Sequence, residues 1–335
     1  MSSRDEALVI GGGISGMRAA LDLADLGVKV RLVEKRQSLG GTLSDVNRIF
    51  PSMLPSDEVL APVIGAVMEN DRIEVMLETE VADVRRDGGI FAATLSPVEK
   101  IEAGCVVLAA GLQPFDATAI PEFGLGRGGV VTSLELEGLL RDCGDGPFTL
   151  EGSEIKSVAF IQCVGSRVES RGYPYCSAVC CAGAIKNALL IKDIDPGIEV
   201  SILYIDIRTH GKGWEDLYRE GRKRRIRFIR GQPSMVYQRP GVDGLMVSGE
   251  NTLLKELYQI RADLVVLQVG LGTSESTRRM LTSLGVKIGG DGLPAGDLPD
   301  GVFLAGTVDS PKDMASCIDQ AEACAARAAI FLNNR

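Results

Sequence analysis

Residues 7–16 read Ala7-Leu8-Val9-Ile10-Gly11-Gly12-Gly13-Ile14-Ser15-Gly16, a short apolar run that breaks at once into glycine. The run has the length and branched content of a buried strand. Beyond it, Met17, Ala20, Leu21, Leu23 and Ala24 fall at helical spacing until Gly27. Val28-Lys29-Val30-Arg31-Leu32-Val33 reads as a second strand, closed by Glu34, 18 residues after Gly16. Strand, glycine turn, helix, strand and terminal acid in this order predict a βαβ unit that binds a dinucleotide. Gly11 permits the turn, Gly13 lets the backbone approach a pyrophosphate, and Gly16 lets helix and strand pack closely. Ile14 and Ser15 open the helix, whose unpaired amides and positive end favour phosphate. Glu34 is placed to accept hydrogen bonds from ribose hydroxyls. A lone glycine pattern often marks only a tight turn, but the full succession of elements argues against that here.

The loop beyond Glu34 bears on which dinucleotide binds. Glu34-Lys35-Arg36-Gln37-Ser38-Leu39-Gly40-Gly41-Thr42 holds a second glycine pair. This resembles the two-dinucleotide-binding flavoproteins, in which FAD lies extended along such a loop. The resemblance implies FAD, with Lys35, Gly40, Gly41, Thr42 and Val81 among its contacts. Ala109-Ala110-Gly111-Leu112-Gln113-Pro114 is similar to the turn at which these flavoproteins leave the FAD domain, which adds Ala110 and Gly111. Gly301-Val302-Phe303-Leu304-Ala305-Gly306 resembles their C-terminal flavin motif. A last helix is expected from Lys312 to Leu332, with Pro311 in its first turn. Amides around Met314 and Ala315 would then favour negative charge on a reduced flavin. Such flavoproteins commonly place an Asp directly after the glycine equivalent to Gly306. Thr307 stands there instead, with Asp309 two residues on, so the ribityl contact is unassigned.

Ile73–Leu77, Val81–Arg85 and Ile90–Leu95 read as an antiparallel meander turning at Asp87-Gly88-Gly89, and Ile101–Leu108 as one further strand. Ala262–Val269 reads as the return to the first domain. The expected fold is α/β: a two-dinucleotide-binding-domain, thioredoxin or disulfide reductase-like flavoprotein. Residues 1–118 and 262–335 form a discontinuous FAD domain in this reading. Residues 119–261 form an inserted NAD(P)-domain-like α/β unit with strand Ser157–Gln162, a helix near Ala178–Lys192, strand Glu199–Ile205 and a charged helix. No repeat is evident in the sequence.

A length of 335 residues suits two domains with substantial cores. The net charge of −9 disfavours a nucleic-acid partner. Arg222-Lys223-Arg224-Arg225 reads first as a solvated helix end and second as a dock for an acidic partner. No apolar run approaches the ~20 residues needed to span a bilayer, and no signal peptide is evident, so a cytoplasmic location is expected. The 8 cysteines then read as thiols, metal ligands or redox groups. With His210 the sole histidine, a metal here would be held mainly by sulfur or carboxylate.

Four of those cysteines fall within nineteen residues: Cys163, Cys176, Cys180 and Cys181. In a pyridine-nucleotide reductase the strand at Val158–Ile161 would run into a second phosphate loop. Here it runs into Gln162-Cys163-Val164-Gly165-Ser166-Arg167, followed by Tyr173-Pro174-Tyr175-Cys176-Ser177-Ala178-Val179-Cys180-Cys181. Four thiolates suit zinc or an iron–sulfur cluster. A vicinal pair cannot form a zinc knuckle, and no redox Cys-x-x-Cys is present, which favours the cluster. The start of a helix near this group would lower thiol pKa values. Cys105, Cys143, Cys317 and Cys324 receive no role.

Phe160 to Arg167, the Tyr175 to Cys181 stretch, Ala184-Ile185-Lys186, Tyr204 to Arg208 with Gly211-Lys212-Gly213, and Pro311-Lys312-Asp313 together resemble the A subunit of heterodisulfide reductase. The resemblance covers essentially the whole chain. It implies that Cys163, Cys176, Cys180 and Cys181 ligate a [4Fe-4S] cluster, and that Lys186 lies near flavin N5 as the catalytic residue. Without the resemblance, Lys186 reads as a solvated helix lysine. No ferredoxin-like segment of the kind methanogen-type relatives add is expected within these residues, and the cysteine motif that larger relatives carry is not found around residues 50–55. It looks more like the short form found in sulfur-oxidising prokaryotes.

The implied function is an oxidoreductase subunit relaying electrons between FAD and the cluster in cytoplasmic sulfur oxidation. Its implied partners are B- and C-type subunits and other electron-transfer proteins, and a homodimer is plausible by resemblance. The rivals are an A-type subunit of a quinone-interacting oxidoreductase of sulfate reducers, an NAD(P)H-dependent disulfide reductase and a zinc-bearing scaffold.

Overall fold

The computed structural model describes residues 3–96, 99–144, 146–170 and 172–334. The chain divides into two units, one of Met1–Ser44, Ser56–Gln113 and Gly272–Arg335, the other of Asp45–Pro55 and Pro114–Leu271.

The first unit is built on a parallel sheet in the order Val302–Leu304, Cys105–Leu108, Glu6–Ile10, Lys29–Val33, Ile73–Met76. Alternate residues of the central strand enter different cores. Ala7 and Val9 pack with the helices Ile14–Asp25 and Met314–Asn333, whose small residues Ala20, Ala321 and Ala325 allow close approach. Leu8 and Ile10 pack with an antiparallel sheet of Glu80–Asp87, Ile90–Ser96 and Glu99–Ala103 and with the helix Glu275–Ser283. Burial on both faces is why this strand reads as an unbroken apolar run.

Two sequence assignments are corrected here. The strand at Ile73 is not part of the meander; it extends the parallel sheet, with Val30 opposite Ile73 and Val33 opposite Met76. The meander's third strand is Glu99–Ala103, and the run expected over 101–108 breaks at Gly104 into strands of two different sheets. A Cβ at Gly104 would stand 2.0 Å from the Arg4 carbonyl oxygen, so only glycine lets the chain change sheets there. A two-residue period reports burial but does not name a partner strand.

The second unit repeats this plan. Its parallel sheet runs Val130–Thr132, Leu264–Val269, Ser157–Val164, Glu199–Tyr204, Arg227–Arg230, and an antiparallel sheet of Pro233–Tyr237, Leu245–Asn251 and Glu256–Ala262 accompanies it. In each unit the strand that follows the antiparallel sheet returns beside the first strand of the βαβ. Leu264–Val269 therefore belongs to the second unit, where Val158 faces Leu264 and Ile161 faces Leu267, rather than to the first as expected.

Residues 45–55 also lie with the second unit. Phe50 meets Trp214 edge-on at 5.0 Å, and Arg141 Nη2 donates to the Val46 carbonyl at 2.8 Å. The last helix begins at Met314, not Lys312, because Asp313 caps it by accepting from the Ser316 amide at 2.7 Å. Pro311 thus precedes the helix. In the basic run, Arg224 pairs with Glu220 and Asp193, and Lys223 with Glu220, as befits a helix end.

Gly104→Ala should lower stability by about 1–3 kcal/mol, the usual cost of forcing atoms into filled space. Urea denaturation followed by circular dichroism measures this, and an unchanged midpoint would contradict the steric account.

Candidate functional site

The glycine turn is held by contacts that exclude side chains. Gly11 has φ +108°, and its amide donates to the Val33 carbonyl at 2.8 Å, binding the turn to the second strand. A Cβ at Gly16 would stand 1.8 Å from the Gly11 oxygen. The loop at residues 40–41 lies directly on this turn: the Gly40 amide donates to the Gly12 carbonyl at 2.9 Å, and a Cβ on Gly41 would be 2.9 Å from the Gly13 Cα. Around Gly13, by contrast, a Cβ would find no protein atom nearer than 3.8 Å. The helix starting at Ile14 has no side-chain cap and no acid in its first turn. Its open positive end and the clear approach at Gly13 fit a phosphate-bearing ligand.

Glu34 is buried behind this turn. Its Oε2 accepts from the Gly12 amide at 2.6 Å and its Oε1 from the Arg36 amide at 2.8 Å. The carboxylate therefore shapes the loop, and a ribose would be bound through its remaining acceptor capacity. Lys35, Thr42 and Ala110 are exposed, whereas the side chain of Val81 is buried in the core behind the sheet.

At the C-terminal end of the same unit, a Cβ on Gly306 would stand 2.1 Å from Ser15 Oγ. The Gly306 amide donates to Gln320 Oε1 at 2.9 Å, and Thr307 Oγ1 accepts from the Leu112 amide at 3.1 Å. Thr307 thus joins this loop to the turn after Gly111. Asp309 accepts from Lys312 at 2.8 Å and from Gln320 Nε2 at 3.2 Å. Burial raises its pKa, but the bonds and charge of Lys312 and Gln320 outweigh that and hold it below the ordinary Asp value of 3.8. Met314 and Ala315 occupy the first two positions of the last helix, with the Asp313 carboxylate beside them.

In the second unit the corresponding turn is replaced. Three residues separate strand from helix in the first βαβ; here Ser157–Val164 and Cys180–Ile194 are separated by fifteen. The strand bulges between Ile161 and Val164, which turns Cys163 out of the ladder. Cys163, Arg167 and Ala178 all adopt φ near +60°, a strained conformation for residues with a Cβ. Cys180 and Cys181 begin the helix, as expected from the sequence. Their acidity does not follow expectation: burial pushes the thiols of Cys163 and Cys180 up and that of Cys181 up to about 11. Desolvation here exceeds the pull of the helix end.

The four sulfurs lie close enough to influence one another, since Cys163 and Cys176 each add to the upward shifts of Cys180 and Cys181. The Ala178 amide donates to Cys176 Sγ at 3.4 Å. Among the described residues, no three His, Cys, Asp or Glu side chains converge on one point as a single metal ion requires. A four-iron cluster distributes its thiolates over four irons and asks for no common point. An all-sulfur donor set with an amide aimed at sulfur is compatible with that chemistry.

Lys186 is not solvated. It lies on the same helix, 1% exposed, with Nζ 2.6 Å from both carboxylate oxygens of Glu137 and 3.0 Å from the Arg48 carbonyl. Glu137 also accepts from Asn187 Nδ2 at 2.8 Å and from the Asn47 amide at 3.0 Å. Burial lowers the Lys186 pKa, while the charge of Glu137 opposes the shift. Sequence reasoning missed Glu137, because a glutamate in a helix normally faces water. It also missed the ion pair of Arg167 with Asp206 at 2.8 Å, although Arg167 stands inside the cysteine motif.

Comparison with known proteins agrees with this architecture. The family model of the pyridine nucleotide-disulphide oxidoreductases matches residues 2–137. Thioredoxin reductase of T. acidophilum superposes with a TM-score of 0.66 at 19% identity, covering 98% of this chain and 97% of that one. For Lactococcus lactis thioredoxin reductase the TM-score is 0.69 at 17% identity, with 98% and 99% covered. The fold is therefore thioredoxin reductase-like, and the family match marks an oxidoreductase and supports FAD.

Within that class, the chain is 34% identical to the A subunit of the H(2):CoB-CoM heterodisulfide,ferredoxin reductase of Methanothermobacter marburgensis, over 98% of this chain and 64% of that protein. It is 32% identical to the iron-sulfur A subunit of the CoB--CoM heterodisulfide reductase of Methanocaldococcus jannaschii, over 96% and 64%. Over nearly its whole length the chain is similar to heterodisulfide reductase A subunits, as its motifs indicated, and it spans about 64% of the length of these relatives.

Two outcomes test the polar contacts. Because Asp309 is depressed, the stability it lends is present above pH 3.8 and is lost as pH falls through its folded value. Asp309→Asn should flatten the acid limb of a stability-versus-pH curve and leave the neutral limb parallel to wild type. Glu137→Gln leaves the buried Lys186 without its counter-charge and should cost about 3–5 kcal/mol in urea denaturation. The double variant Glu137→Leu with Lys186→Met should recover most of that loss.

Proposed function

We propose that this chain is the FAD-bearing electron-transfer subunit of a heterodisulfide reductase-like complex. In this reading FAD is held at Gly11–Gly16, Glu34, Gly40–Gly41 and Gly306, and a [4Fe-4S] cluster at Cys163, Cys176, Cys180 and Cys181. The observation that carries it is the exchange of a three-residue phosphate turn for a strained, cysteine-bearing loop at the equivalent place in the second unit. An NAD(P)H-dependent reductase would need a second phosphate turn there.

Bound FAD supplies a two-electron store that can be emptied one electron at a time, and a cluster supplies the one-electron step. The protein's part is to hold and tune. The open end of the helix at Ile14 attracts the pyrophosphate, Glu34 orders the loop against the ribose, and amides such as that of Ala178 stabilise charge on sulfur. For Lys186 to hydrogen-bond flavin N5, as proposed, its ammonium would have to exchange one of the three acceptors it holds, the two Glu137 oxygens and the Arg48 carbonyl. Disulfide or persulfide chemistry would lie on B- and C-type partner subunits, in cytoplasmic sulfur oxidation, with the chain as a homodimer. Among the described residues, no helix is long and apolar enough to cross a membrane.

Anaerobically purified protein should contain iron with acid-labile sulfide and show a rhombic EPR signal on reduction. Cys181→Ser should abolish that signal and leave FAD bound, as read from the visible spectrum. Zinc without sulfide in the wild-type protein would overturn the relay in favour of a scaffold.

A further inference from the structure

The cysteine loop carries more buried polar groups than its own hydrogen bonds consume. Gln162, 1% exposed, has no partner for its amide oxygen or nitrogen, and the hydroxyl of the fully buried Ser166 has none either. Arg167 donates Nη2 to Asp206 at 2.8 Å, while its Nη1 is buried and unpartnered. Buried donors without acceptors are costly enough that native structures rarely keep them. The Ser166 amide donates to the Cys163 carbonyl at 3.3 Å, and the Arg167 charge acts on the sulfurs of both Cys163 and Cys176. Asp206 fixes the guanidinium from one side and also lies 3.6 Å from Arg230. The other side of Arg167 is thereby presented, charged and unpaired, within the loop.

We propose that Arg167, oriented by Asp206, sets the reduction potential of the iron–sulfur cluster held by this loop. The inference rests on the cluster reading given above. Taking up one electron from a reductant adds one negative charge to the cluster and makes or breaks no bond. A fixed cation with a free donor beside the cluster sulfurs stabilises the reduced state more than the oxidised one and raises the potential. The Asp206 carboxylate offsets part of that field while holding its source in place. Ser166, fully buried beside Cys163, adds a neutral dipole to the same surround.

The two partners must therefore act with opposite sign. In the full-length protein, with iron and sulfide assayed in each preparation, a dithionite titration followed by EPR gives the midpoint potential. Arg167→Gln should make reduction about tenfold less favourable, a fall of ~59 mV for one electron. Asp206→Asn should raise the potential, since the arginine's charge is no longer offset, and Arg167→Lys should stay nearer wild type than Arg167→Gln. A general loosening of the loop would admit water and shift both variants in the same direction. That result, or an unchanged potential in fully loaded Arg167→Gln, overturns the proposal. If Arg167→Gln does not retain iron, the sign of the Asp206→Asn shift decides. Wild-type protein free of iron and sulfide would overturn the cluster reading itself, and this inference with it.

Discussion

The Gly11 carbonyl oxygen occupies the space that a side chain at position 16 would need. Much of the first unit follows from that contact. It lets the helix Ile14–Asp25 start almost on top of the strand Glu6–Ile10, which in turn brings the helix end to the edge of the sheet. The turn is then thin enough for Gly40 and Gly41 to lie across it. Glu34 closes the arrangement from beneath, taking the amides of Gly12 and Arg36 with its two oxygens. A residue with a Cβ at position 11, 16 or 41 would separate surfaces that have to touch, and the helix end could no longer address a phosphate at close range.

The second unit keeps the same sheet order without that contact. Its strand and helix are linked by fifteen residues; Arg167 and Ala178 in that link, and Cys163 at the end of the strand, hold a left-handed backbone conformation that costs energy at each. The loop is closed by other means: the Tyr173 and Tyr175 rings stack at 5.4 Å, and a Cβ at Gly165 would run into the Phe115 ring. Strain, unpartnered buried polar atoms and buried thiols occur together in this loop. Each costs folding energy, and strain of this kind persists where the surroundings over-determine it. A bound group that takes up the sulfurs and the stray donors would offset these costs together.

The first βαβ was legible because its glycines answer steric demands at fixed spacing, and spacing survives in a sequence. The cysteine group was legible because its four thiols stand within nineteen residues. Partner strands were not. Ile73–Met76 and Leu264–Val269 are apolar runs that would read the same in several sheets, and only the register decides between them. The repeat of one plan in both units was hidden for a related reason, since the turn that identifies it in one unit is absent from the other. Charged residues misled in a different way. Lys186 and Glu137 each look solvated alone, and burial makes sense only once both are placed, 49 positions apart in sequence.

That pair constrains what Lys186 can contribute. Two charges taken out of water gain little stability over an apolar pair of similar size, so the Lys186–Glu137 contact is not kept for stability alone. It does fix geometry: Glu137 takes the Asn47 amide and Lys186 the Arg48 carbonyl, which secures residues 45–55 against the helix Ser133–Asp142. It also sets the electrostatics. With both carboxylate oxygens 2.6 Å from Nζ, the pair is close to neutral as seen from a distance, and the field of a lone ammonium is largely cancelled. Any group near Lys186 would therefore feel little of a full positive charge. Arg167 differs in degree: Asp206 pairs with one side of its guanidinium at 2.8 Å while Nη1 stays buried without a partner, so its charge is offset less evenly than that of Lys186.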